Sequence, residues 1–225
     1  MTFDEQLQRV LETFAGRLNE DVTRQVRAVV DELTAVARTE AVPDATESPI
    51  GRLAAGVRAI SGGRSLTEVL DMLLDRAALD AARVGVLLVR GDRFQGWRFV
   101  GFDHSNDPGS IDLAADDPGV IGDAARTNDV VFCASGHDGS APAFARLHES
   151  RGCLAVPIAI TGQVVAVLYA DMGGTANPEP GTLNPEPVEI LTLCASQRLE
   201  VLTVTKAARW LTADDSANFL EAKAQ

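Results

Sequence analysis

The chain has 225 residues, 46% of them hydrophobic and 23% charged, which suits one ordinary globular domain with additional elements and excludes wholesale disorder. A net charge of −12 excludes a nucleic-acid or anionic-membrane surface, both of which need clustered Lys and Arg. No apolar run approaches the ~20 residues of a bilayer span, the opening MTFDEQLQRVLE is too polar for a signal peptide, and the three scattered cysteines (Cys133, Cys153, Cys194) suit thiols in a reducing, cytoplasmic compartment.

Residues 2–38 lack proline and read as one long helix, assigned with its flank to residues 1–40. Leu7, Leu11, Phe14, Leu18, Val22, Val26, Val29, Leu33 and Val36 recur at steps of three or four, a narrow seam on an otherwise charged helix. At 1.5 Å per residue the helix would run roughly 55 Å, longer than one domain of this size is wide. A two-chain coiled coil is the simplest arrangement, and folding back on its own domain is the alternative. Residues 41–64 form a linker and a short helix. Ser48 before Pro49 marks the helix start, Ile50, Leu53, Val57 and Ile60 share a face, and SGGR (61–64) is a hinge.

Ser65-Leu66-Thr67-Glu68 is a capping box opening a helix over 65–83, with Leu66, Val69, Leu70, Leu73, Leu74, Ala77 and Ala81 inward. VGVLLVR (84–90) and RFQGWRFVGF (93–102) are strands joined at Gly91-Asp92. After an acidic loop come a short helix begun by Asp117-Pro118, a brief strand at 130–132, and another short helix, APAFARLHES. In CLAVPIAITGQVVAVLYAD (153–171), two strands meet at Thr161-Gly162. The first alternates large (Leu154, Val156, Ile158, Ile160) with small (Cys153, Ala155, Pro157, Ala159), so both its faces are covered. A helix over 187–208 closes the domain at 65–208, and 209–225 reads as a tail. Hairpins between helices predict an α+β fold: an antiparallel sheet of five to six strands, helices on one face and a roof of loops and short helices on the other.

This order of elements resembles the GAF domain over about Ser65 to Lys206. CLAVPIAITGQVVAVLYAD is similar to that family's V-P-L/I, Gly turn, G-V-L hairpin, with Ala166 where the family usually has Gly. DPGVIGDAARTNDVVF resembles its G-x-x-G helix leading to a short strand. Pro157, which removes a strand donor, sits where the family accepts one. The resemblance implies a sensory or regulatory module that takes a small molecule between sheet and roof and dimerises through its first and last helices. Other members of the family serve only as dimerisation modules.

None of the catalytic patterns that the sequence suggests is complete. SGGRS (61–65) lacks the lysine and spacing of a phosphate loop, and GHDGS (136–140) is no nucleophile elbow. DHSNDPGSID (103–112) resembles a calcium loop, but Pro108 stands where Gly is needed and Ala114 where the bidentate Glu is needed. His104, His137 and His148 fall in the roof without short ligand spacing, so no metal is expected. RLHESRGC does not supply the Cys-His motif of the bilin-binding branch. The branch that reduces free methionine sulfoxide carries a reactive cysteine in a G-V-C-G turn, and here Gly119-Val120-Ile121-Gly122 places isoleucine there.

Phe102, His104, Val120, Ile121, Phe132, Phe144, His148, Cys153 and Tyr169 are the ligand-binding candidates, as the lining of a space between sheet and roof. The same aromatics could fill that space as ordinary core. The expectation is a cytoplasmic, bacterial, non-catalytic module with no cofactor, a homodimer that passes a ligand signal through its coiled coil to a downstream protein. A ligand-free dimerisation scaffold and a thiol-dependent reductase are the alternatives.

Overall fold

The computed structural model describes residues 48–102, 108–134, 140–145, 152–173 and 183–222, with side chains through residue 209. The expected N-terminal helix and its seam, Leu7 through Val36, fall on residues outside those described. Both serine caps form. Helix α1 (Pro49–Gly62) starts behind Ser48, whose Oγ accepts the Gly51 N–H at 3.0 Å. Helix α2 (Leu66–Ala77) starts behind Ser65, whose Oγ accepts the Glu68 N–H at 3.1 Å. The Glu68 carboxylate reaches back to the Arg64 N–H at 2.8 Å, one residue further than an ordinary capping box.

Helix α2 ends at Ala77, short of the expected residue 83. The Asp80 and Ala81 N–H groups both bond to the Ala77 carbonyl, at 3.0 and 3.1 Å. This turn tucks Ala81 into the core and leaves Leu79 53% exposed. The chain must be free of helix by Arg83, because Arg83 opens the next strand opposite Asp171.

Six strands follow: β1 (Arg83–Arg90), β2 (Arg93–Val100), β3 (Asp112–Ala114), β4 (Val131–Cys133), β5 (Cys153–Ile160) and β6 (Gln163–Asp171). They form one sheet in the order β3-β2-β1-β6-β5-β4, with every neighbouring pair antiparallel. β3, inside the stretch read as an acidic loop, is three residues long and too short to carry a periodic signal. Pro157 lies beyond the reach of β4, which pairs only with Cys153, Ala155 and Leu154 between them, so no rung of that ladder is lost.

The sheet has two unlike faces. Val84, Val86, Leu154, Val156, Ile158, Leu168 and Ala170 pack with Val57 and Ile60 of α1 and Val69, Leu73 and Leu74 of α2. Val188, Leu191, Ala195 and Leu199 complete this core from helix α4 (Pro185–Ala222). On the other face Leu87, Phe94, Cys153, Ala155, Val167 and Tyr169 pack beneath helix α3 (Val120–Thr127) and the single turn Ala143–Ala145. The large side chains of β5 therefore meet helices, and its small ones meet the roof. Helix α1 contributes to this same core and does not merely link.

Each long hairpin carries one extra residue on its second strand. Leu87 pairs with Gly96 but Val86 with Arg98, leaving Trp97 without a partner. Ala159 pairs with Val164 but Ile158 with Ala166, leaving Val165 without one. Each β-bulge reverses which residues beyond it face the roof.

Helix α4 runs past the expected residue 208 to Ala222, since no Gly or Pro follows Pro187 to stop it. Its Arg198 Nε donates to the Gly63 carbonyl at 2.8 Å, tying it to the α1–α2 hinge. No helix among the described residues is long and apolar enough to cross a membrane.

The β5–β6 turn has positive φ at both central residues, Thr161 (50°) and Gly162 (79°). A β-branched residue is disfavoured there, and Asn-Gly is the pair this turn type selects. Thr161→Asn is expected to stabilise the fold by about 1 kcal/mol, read as a higher urea midpoint at unchanged m-value.

Candidate functional site

Directly opposed residues in successive strands share a face. The pairs Cys133↔Cys153, Cys153↔Asp171 and Asp171↔Arg83 thus form one row across four strands, β4, β5, β6 and β1, on the roof side. Asp171 is fully buried. It accepts from Arg83 Nε at 2.7 Å and Nη2 at 2.8 Å, and from the Gly173 N–H at 2.7 Å. This fork is the strong, charge-assisted kind of hydrogen bond. The Arg83 guanidinium carbon lies 4.7 Å from the centre of the Phe102 ring, adding a cation–π contact.

Four aromatic rings stand next to the row. Phe99 meets Phe102 and Phe144 edge to face, at 5.2 and 5.3 Å between centroids, and Phe144 meets Tyr169 edge to face at 5.5 Å. Phe99 fits only because its cross-strand partner is Gly85: a Cβ there would lie 2.4 Å from the ring.

The Tyr169 ring is fully buried, and among the described residues its hydroxyl has no hydrogen-bond partner in good geometry, although the Asp171 carboxylate and the Cys153 thiol lie close by. Burial, then the nearby Asp171 carboxylate, pushes this hydroxyl's pKa far above its ordinary value. Burial, with the adjacent Cys133 thiol adding to it, pushes the Cys153 thiol up to about 12. Both groups are held protonated at neutral pH.

Of the candidates read from the sequence, Phe102, Val120, Ile121, Phe144, Cys153 and Tyr169 come together on the roof side of the sheet. Phe132 does not. It pairs with Leu154, whose side chain faces the helices, and it is 47% exposed. A three-residue strand presents only its outer residues, Val131 and Cys133, to the roof. His104 and His148 lie outside the described residues, as does His137. Among the described residues no cluster of His, Cys, Asp or Glu is placed to hold a metal ion. A separate open depression, lined by Val89, Phe94, Ala125, Arg126 and Val164, lies at the other end of α3.

The GAF domain family model matches residues 63–198. The chain belongs to the GAF domain family. No curated protein matches it. Among solved structures, the GAF domain of an Acinetobacter phosphoenolpyruvate-protein phosphotransferase aligns at 18% identity and a TM-score of 0.54, covering 72% of this chain and 97% of that one. Free methionine-R-sulfoxide reductase from Neisseria meningitidis, solved with its substrate, aligns at 17% identity and 0.53, covering 72% and 97%. A GAF domain/HD domain protein from Geobacter sulfurreducens aligns at 19% and 0.51, covering 64% and 98%. At these identities the likeness is one of fold.

Within this GAF domain, Arg83 and Phe99 are the site residues that sequence reasoning missed, and Asp171 stands outside the candidate set. An arginine at the start of an apolar strand, with an aspartate ending another, was the available signal for the ion pair. Phe99 gave none, because strict alternation from the Gly91 turn puts it on the wrong face.

Arg83→Met is expected to cost about 3–5 kcal/mol in urea unfolding, since it strands a buried carboxylate, and Arg83→Met with Asp171→Leu should recover much of the loss. Alkaline behaviour follows from Cys153. Its thiol stays protonated in the fold up to about pH 12, whereas an unfolded thiol deprotonates near pH 9. The unfolded state thus binds fewer protons between these values, and stability falls as pH rises through them. Cys153→Ala should flatten that decline between pH 8.5 and 10.5 on the ordinary thiol scale, measured by urea midpoints at each pH.

Proposed function

We propose that this chain is a regulatory GAF module that takes a small molecule at the Tyr169 hydroxyl, between sheet and roof, without performing catalysis. The observation that carries this reading is that hydroxyl. Among the described residues it is a fully buried polar group without a hydrogen-bond partner in good geometry, an arrangement that costs stability until something satisfies it. The surrounding Phe99, Phe102 and Phe144 suit a compact, largely apolar ligand that offers one hydrogen-bonding group. The Arg83–Asp171 pair fixes the sheet end of the site. Ligand entry would move the roof over the sheet, and α4, packed on the sheet's other face, would carry the change within a cytoplasmic homodimer to a downstream protein. Such a shift needs a ligand with unequal affinity for the two arrangements.

Two features weigh against thiol reduction as the activity. Ile121 occupies the position of the reactive cysteine in the reductase branch, and Cys153, fully buried and resting as the thiol, is not a thiolate poised for a first attack on a substrate. The ligand-free scaffold has one observation in its favour, the close edge-to-face packing of the four rings.

Native mass spectrometry of the purified full chain is expected to show a dimer retaining a reproducible small-molecule mass. Tyr169→Phe should lose that mass while leaving the ligand-free protein equally stable or more so. Loss of about 1 kcal/mol or more in ligand-free Tyr169→Phe would mean that the hydroxyl is already satisfied, and the reading would fall.

A further inference from the structure

We propose that Cys133 and Cys153 form a thiol–disulfide couple, a redox modification site that locks the edge strand β4 onto β5. This goes beyond the ligand reading and does not depend on it.

The geometry begins with register. Cys133 and Cys153 are directly opposed on antiparallel strands, with both side chains on the roof side. Opposed residues have Cα atoms about 4.5–5.5 Å apart, inside the range of about 4.4–6.8 Å that a disulfide spans. The register therefore places the pair within the backbone separation that a disulfide accepts. The strands also approach closely beside the pair: a Cβ on Gly152 would lie 2.8 Å from the Cys133 carbonyl oxygen. A glycine just before Cys153 is what allows that approach.

Accessibility sets the order of events. Cys133 is partly exposed at the end of the edge strand, while Cys153 is fully buried. An oxidant from solvent meets Cys133 first, and Cys153 resolves the product. With a hydroperoxide as oxidant, the Cys133 thiolate attacks one peroxide oxygen, the O–O bond breaks, and the departing hydroxide leaves as water. Cys133 is then a sulfenic acid. The Cys153 sulfur attacks the Cys133 sulfur, the S–O bond breaks, and the Cys153 proton leaves with that hydroxide as a second water. Two thiols and one hydroperoxide thus give one disulfide and two waters or, for an alkyl hydroperoxide, one alcohol and one water. An added dithiol reverses the reaction.

Its consequence is local. β4 is held to the sheet by only three paired residues, and the roof segment after residue 133 returns to the sheet at residue 152. A bond between Cys133 and Cys153 closes that segment into a loop and pins both its ends. The third cysteine is a built-in control. Cys194 is buried on the opposite side of the sheet, with its sulfur 3.4 Å from Ser61 Oγ and in reach of the Val57 carbonyl.

The test uses the full chain treated with hydrogen peroxide, with remaining thiols alkylated after denaturation. Trypsin leaves Cys153 and Cys194 in one peptide, so chymotryptic cleavage after Tyr169 is needed to separate them. The expected result is a loss of about 2 Da per chain, a Cys133–Cys153 cross-linked peptide, an alkylated Cys194, and full reversal by dithiothreitol. Cys153→Ala should instead trap dimedone on Cys133, and Cys133→Ala should leave Cys153 reduced at the same dose. The wild-type peptide map stands even where a variant folds poorly. Cross-links between Cys133 residues of two chains, over-oxidation of Cys133 without a Cys153 partner, or three unmodified thiols in excess peroxide would each overturn the proposal.

Discussion

The roof-side chemistry of this domain depends on two β-bulges. Without the extra residue at Val165, continuing the register from the Thr161-Gly162 turn would set Tyr169 opposite Leu154, on the helix side. With it, Tyr169 lies opposite Ala155 and Asp171 opposite Cys153. The bulge at Trp97 does the same for the first hairpin. It turns Arg98 toward Asp71 and Asp75 of α2 and turns Phe99 over Gly85. A one-residue shift exchanges the two faces of a strand, so two single residues decide which side chains form the site.

The faces that result have different physical characters. On the helix side, branched aliphatic side chains from the strands interlock with three helices, an arrangement that rewards volume matching and little else. On the roof side, small residues on β5 leave room that is taken by rings from β2, β6 and the Ala143–Ala145 turn, with an ion pair, two thiols and a phenol among them. Buried polar groups in apolar surroundings are costly unless satisfied. Asp171 meets that cost with Arg83 and the Gly173 N–H, whereas the Tyr169 hydroxyl has no partner in good geometry among the described residues. Apolar burial thus stabilises both faces, and the buried ion pair and the phenol lie on the roof side.

The transverse row from Arg83 to Cys133 spans the site from its ion pair to its edge strand. Asp171 is hydrogen-bonded at one end of the row, and the edge strand at the other end is short and weakly held. Cys153 is opposed to Asp171 and diagonal to Tyr169 across one strand gap. The row is short and contiguous, and coupling along it would require an element with two arrangements that both ends bias.

Local signals determined much of this fold. The serine caps before Pro49 and Leu66, the Gly91 and Gly162 turns, and the large–small alternation of β5 each act within a few residues, so they were legible and the antiparallel α+β architecture followed. Helix extents were less legible, because α2 is cut short by the need to pair Arg83 with Asp171 and α4 continues for want of a breaker. The site was legible only in part. Tyr169, Phe144, Cys153 and the first turn of α3 could be placed by position in the chain, while Phe132 was placed on the wrong face and Phe99 and Arg83 were overlooked. A bulge has no strong signature in one sequence, since its extra residue is identified only by the strand opposite. The sequence by itself determined which elements form and in what order, and the tertiary pairing decided which residues face each other, because register is a property of two strands together.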